Sequence, residues 1–182
     1  MHTLILCTLL ANSPAPAAAP APAVAAPFEQ ARAALGPFKK ALKETLLKAL
    51  ETSPESAIDV CRKRAPELAA AANTPTVTVG RSALKLRNAT NAPPPWVQQV
   101  MVELAKEKSG TDASRTVALA NGTVGYAEAI WTGAPCLVCH GTSVTPALEA
   151  KLKAAYPKDS ARGFSEGDFR GVFWAEVRPT KH

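Results

Sequence analysis

Cys136-Leu137-Val138-Cys139-His140 reads C-x-x-C-H, the attachment signature of c-type haem. The chemistry needs that spacing. On a helical turn, two cysteines three apart lie on one side and can each bond a haem vinyl group, while the histidine that follows reaches the iron from the same side. Three other readings compete. A thioredoxin-like dithiol would use the same two cysteines, but such pairs follow a strand and open a long helix. Here Pro135 precedes the motif and Gly141 follows it. A zinc site needs a second cysteine or histidine cluster, and the other histidines are His2 and His182. The last is a chance match of three fixed positions.

One motif implies one covalent haem c, with His140 as a metal ligand. The opposite face of the iron is a question of inventory. Soft or imidazole donors are few: Cys61, Met101, His182 and the N-terminal Met1, His2 and Cys7. Cys61 leads, because it shares an inward helical face with Ile58 and Ala65. Met101 and an open iron stay as alternatives, as does a phenolate from Tyr126. Haem propionates need cations. Arg81, Lys85 and Arg87 alternate along one face of a segment, and Arg170 ends a Gly-Asp-x-Arg-Gly turn. A solvated face explains the same basic residues equally well. Trp96 and Trp131 read as core residues. No catalytic triad, phosphate loop or informative carboxylate pair is present.

The elements that must hold these residues follow from periodicity. Residues 28–51 carry an apolar stripe at helical spacing, and Gly36-Pro37 predicts the start of its main helix. Ser53-Pro54-Glu55 opens a second helix towards Ala70, with Pro66 ending or kinking it. Thr76–Val79 and residues 81–87 alternate like strands. A helix is expected over 96–108. A hairpin is expected over 115–131 around Asn121-Gly122, a short helix over 146–155 and a last strand over 171–177. This order predicts an α+β fold with a mainly antiparallel sheet.

The chain has 182 residues, and its 21 Lys and Arg and 15 Asp and Glu all fall after residue 27. Residues 3–11 form a short apolar run and residues 11–27 are mostly Ala and Pro. The expected organisation is a signal peptide and Ala/Pro tether over 1–27, then one domain over 28–182, exported to the periplasm. Thioether attachment in an extracytoplasmic space agrees with that. The apolar run lacks a preceding Lys or Arg, which is atypical of a signal peptide, and a cytoplasmic protein with a low-complexity head is the alternative. A net charge of +6, mixed in sign, gives no case for nucleic acid. Mean hydropathy near zero excludes a polytopic membrane protein, and no integral span is expected in the mature form. Four cysteines are too few for a disulfide scaffold.

Several stretches together resemble the single-haem c-type domains with a PAS-like fold, the Tll-like haem domain family. They are Ala57–Cys61 with Ala65-Pro66-Glu67, Val79–Ser82 with Leu84–Asn88, Asn91-Ala92-Pro93 with Trp96, and Cys136–Gly141. Tyr156-Pro157, Asp159 with Ala161, Gly163-Phe164, Gly167-Asp168 and Arg170-Gly171 complete the set, in order over about residues 30–178. The resemblance implies a PAS-like antiparallel sheet flanked by helices and an N-terminal helical segment. It also implies a haem held by Cys136 and Cys139, with His140 proximal and Cys61 distal. Two positions depart from the pattern: Ala89-Thr90, where a proline is more usual, and the bulky Val172-Phe173-Trp174.

The functional expectation is a periplasmic cytochrome in redox sensing or electron transfer, with an unidentified redox partner protein and a homodimer left open. Alternatives are a haem-based gas sensor and a peroxidase-like enzyme. The enzyme needs a proton-shuttling group on an open distal side, and no spare histidine lies in the chain interior. A non-enzymatic protein is therefore expected.

Overall fold

The computed structural model describes residues 22–180; the apolar run and the first part of the tether lie outside them. Six α-helices and four strands follow in order. Helix α1 spans Pro22–Thr52. It runs straight through Gly36-Pro37, where the sequence reading starts the helix. A proline inside a helix costs ~3 kcal/mol. The stripe Ala31, Leu35, Phe38 and Leu42, all buried against the sheet, offsets that cost. The helix also takes in the end of the stretch read as a tether.

Ser53 caps α2 (Pro54–Asp59): its side chain accepts the Ser56 N–H, and Pro54 stands in the first turn. A π-helical turn, Val60–Arg64, joins α2 to α3 (Ala65–Ala72). The widened turn accommodates Pro66 near the start of α3, so the chain changes helix type there instead of ending.

Strands β1 (Val77–Ser82), β2 (Ser114–Ala118), β3 (Val124–Trp131) and β4 (Phe169–Val177) form one antiparallel sheet in the order β1-β4-β3-β2. This is the expected α+β architecture, an antiparallel sheet flanked by helices. Asn121 (φ 57°) and Gly122 (φ 70°) turn β2 into β3, as the Asn-Gly pair requires. One sheet face carries α1. The other carries α4 (Pro95–Leu104) through Val97, Val100, Met101 and Leu104. Strand β4 alternates between them, with Phe173, Ala175 and Val177 towards α1 and Val172 and Trp174 towards α4.

Residues 81–87 do not continue as a strand. The chain leaves the sheet after Ser82, and Leu84 is exposed. Its neighbours dock on a distant loop instead: the Leu86 carbonyl accepts the Ser160 N–H at 2.8 Å. The alternation of Leu84 and Leu86 with basic residues therefore reflects loop docking. The Ala89–Asn91 turn, where the family pattern breaks, is capped by the Asn88 side chain at 3.0 Å from the Thr90 nitrogen.

Candidate functional site

A cleft of about 1030 Å³, counting its open mouth, lies where the end of α1, α2 with the π-turn, and the ends of β3 and β4 meet. Helices α5 (Ala134–His140) and α6 (Pro146–Ala155) close it. Ile58, Leu148, Leu152 and Tyr156 form a small core beneath, with Cys139 packed against it.

Cys136, Cys139, His140 and Cys61 all line this cleft, as do Arg81, Lys85, Arg87 and Arg170. The two motif cysteines sit on α5 three residues apart, on one side of its turn. The C-terminal end of α5 is tied down. The His140 carbonyl accepts the Phe164 N–H at 3.0 Å, and the Phe164 ring meets the imidazole edge-on at 6.2 Å.

His140 is prepared as a donor ligand. Its Nδ1 lies 2.8 Å from the Ala161 carbonyl. A carbonyl only accepts, so Nδ1 carries the proton and Nε2 keeps its lone pair. Burial, then the Arg170 and Arg87 charges, push the imidazole down to about 3, so it stays neutral at ordinary pH. Burial raises the Cys139 thiol, with Arg87 working against it.

The cations divide into two kinds. Arg87 is nearly sealed from solvent and committed to the protein. Its Nε donates to Asp159 at 3.0 Å, and its Nη2 donates to the Cys139 carbonyl at 2.5 Å and the Ala161 carbonyl at 3.3 Å. It anchors the attachment helix while lining the cleft. Arg170 has no carboxylate partner among the described residues. Its Nη2 lies 3.5 Å from both His140 ring nitrogens, and its guanidinium covers the Phe164 ring. Burial, then Arg81 and Arg87, lower it to about 10. Arg81 likewise has no ion pair among the described residues. Lys85 stands over Phe164 at the mouth, with its Nζ 3.3 Å from the Arg162 carbonyl. A half-buried guanidinium with no carboxylate partner among the described residues suits an anionic ligand.

Other sequence candidates fall elsewhere. Met101 is fully buried in the α4 core on the opposite sheet face, which removes it as a ligand. Tyr126 belongs to the α1 core, donates to Glu128 at 2.9 Å, and is pushed up to about 12, mainly by burial, so it is no phenolate ligand. Trp96 and Trp131 are packing residues, against Trp174 and Phe169. Of the bulky β4 residues, Phe173 lines the cleft and Trp174 packs over Gly80. His182 lies outside the described residues. Tyr156 lines the cleft without having been singled out as a site residue; burial, then Cys61, push it up to about 12. Only its place in the family pattern pointed to it.

The cleft fits a haem of the attached type. It offers two thiols on one helical face, a neutral imidazole with a free Nε2, a sulfur donor, apolar walls and unpaired guanidinium groups for two propionates.

A profile of the Tll0287-like family matches residues 19–177. Among solved structures, the crystal structure of the cyanobacterial heme-protein Tll0287 matches with a TM-score of 0.59 and 25% identity, over 80% of this chain and 92% of that one. No curated protein matches in sequence. The chain belongs to the Tll0287-like family.

Proposed function

We propose that this chain is a periplasmic monohaem c-type cytochrome that works in redox sensing or electron transfer. The observation that carries the reading is the convergence of Cys136, Cys139, His140 and Cys61 on one cleft that also holds the unpaired Arg170. The resemblance to a heme-protein of the same family supports it. When bound, haem supplies a one-electron ferric–ferrous couple.

The chain's residues do the rest. Cys136 and Cys139 hold the two vinyl edges as thioethers. His140 offers Nε2 to the iron, and the Ala161 carbonyl fixes its ring plane through Nδ1. Cys61 would offer sulfur as a further ligand. Arg170 and Arg81 hold the propionates. Leu46, Leu50, Leu152 and Phe173 keep water from the porphyrin faces. A Cys61 thiolate would push electron density to the metal and favour the ferric state, which lowers the potential.

Attachment is tested by acid-acetone extraction of protein matured in a periplasm with a working cytochrome assembly system. The haem should stay with the wild-type polypeptide and be extracted from, or absent in, Cys136→Ala/Cys139→Ala. Extractable haem in the wild type would overturn covalent attachment. Ligation is tested with Cys61→Ser, whose midpoint potential should rise and whose reduced form should bind carbon monoxide readily. An unchanged spectrum and potential would leave Cys61 as a packing residue.

A further inference from the structure

Behind Cys61 lies a second cleft of about 840 Å³ that opens to solvent between α1, α3, β1 and the 90–92 turn. Four side chains line both clefts and form the partition between them: Cys61, Arg81, Ser82 and Asn91. Two features of this partition suit a replaceable ligand. Cys61 stands on the π-helical turn, which is closed by the Ala65 N–H on the Val60 carbonyl and contains no fully buried residue. Such turns recur at functional sites. Ser82 is 2% exposed and its Oγ accepts the Trp174 indole N–H at 3.0 Å. Its own hydroxyl proton has no acceptor among the described residues and is free for a ligand at the partition.

We propose that the second cleft is the approach route for a small uncharged ligand, of the size of carbon monoxide or nitric oxide, to the Cys61 side of the cofactor. Cys61 yields by turning from the first cleft into the second. This rests on the haem reading above. A flat group filling the first cleft closes approach from that side and leaves the second cleft as the way in. The exchange is a substitution without electron transfer. The Cys61 sulfur leaves with its bonding pair, and the incoming ligand donates its own lone pair to ferrous iron.

The test narrows the mouth from either lip, with Ala70→Trp on α3 and Ala92→Trp on the turn. Both positions are exposed cleft-lining residues, so neither ring need displace core. In the reduced, haem-loaded protein, bimolecular carbon monoxide rebinding after flash photolysis should slow about tenfold, the effect of a barrier of about 1.4 kcal/mol. The ferric spectrum should not change. A second readout is alkylation of Cys61 by iodoacetamide in the reduced protein, mapped by peptide mass, which should slow in parallel. Unchanged rates in both variants overturn the route. Equal alkylation of Cys61 in ferric and ferrous wild type overturns its displacement and the ligation beneath it. Slowing by the tryptophans would then still establish the second cleft as the way in.

Discussion

Removing Arg87 should cost far more than removing any surface cation. The Arg87 and Asp159 side chains are 8% and 3% exposed, and the guanidinium also holds the carbonyls of Cys139 and Ala161. Breaking a buried pair from one side costs ~3–5 kcal/mol because the survivor is left uncompensated. In Arg87→Met, Asp159 keeps the Arg162 Nε at 2.7 Å and the Ala161 N–H at 2.9 Å. The expected loss is therefore near the lower end, about 3 kcal/mol, or roughly 6–12 °C in Tm for a chain of this size. The assay is thermal unfolding of the full chain by circular dichroism, with Arg62→Met as control. The Arg62 pair with Asp59 is 3.7 Å long and half-exposed, so its loss should stay below about 0.5 kcal/mol. In the cycle with Asp159→Asn, Arg87→Met should show a coupling of at least ~1 kcal/mol. Equal losses for the two methionine variants, or strict additivity in the cycle, would refute Arg87 as the anchor of α5.

Acid should act through Asp159. Burial alone raises its carboxyl, but hydrogen bonds from Arg162 and Ala161 and the Arg87 charge outweigh it and set it below the ordinary value. A depressed carboxyl stabilises the fold above its unfolded pKa, and that stability is lost as pH falls through the folded value. The urea midpoint should therefore drop as pH falls below about 5, and drop less in Asp159→Asn. Arg170→Met should have opposite effects in two forms of the protein. In the Cys136→Ala/Cys139→Ala background stripped of haem it should stabilise, by up to ~3 kcal/mol, since a half-buried cation with no carboxylate partner among the described residues is removed. In the haem-loaded protein it should destabilise, and the same sign in both, read from urea midpoints, would contradict the propionate assignment. Gly171→Ala should cost at least ~2 kcal/mol in chemical denaturation, because at φ 148° an added Cβ meets the Ser82 carbonyl oxygen at 2.2 Å. A loss under ~0.5 kcal/mol would show that the strand yields there.

Legibility in the sequence followed the range of the interaction. Short-range signals read correctly: Ser53-Pro54 opening α2 and Asn121-Gly122 turning the hairpin. Each is decided within a few residues by a cap or a dihedral. Gly36-Pro37 misled because the sheet beneath Leu35 and Phe38 outweighs a local break, and that sheet is built from residues far along the chain. The segment 81–87 misled for the converse reason. Its alternation is real, but Arg87 is claimed by Asp159, 72 residues away, and no period of two records that. The motif and Cys61 were legible as donor types, and Met101 could be set aside only once α4 was seen to pack on the far side of the sheet. Arg170 was legible as one of four cations that could meet the propionates or face solvent. Its importance lies in having no carboxylate partner among the described residues, which periodicity cannot express.

That unpaired charge separates the candidate ligands more sharply than the motif does. A fatty-acid anion would satisfy Arg170 and the apolar walls, yet leave two thiols and a neutral imidazole with a free Nε2 without purpose at the same cleft. A structural zinc would use thiolates and imidazole, but no group of three or more metal-ligating side chains is drawn together among the described residues. Zinc would also leave the guanidinium groups of Arg81 and Arg170 in the cleft without an anionic partner. A dithiol redox pair needs neither the cleft nor the cations. A haem is flat and apolar, is dianionic at one edge through its propionates, and carries an iron that takes imidazole and sulfur and two vinyl groups that take thiols. It therefore uses every one of these features at once. The agreement is informative because the parts come from separate places in the chain. Cys61 comes from a π-turn, Arg81 from an edge strand, His140 from a seven-residue helix and Arg170 from the strand at the sheet's centre. No local preference would bring them to one cleft.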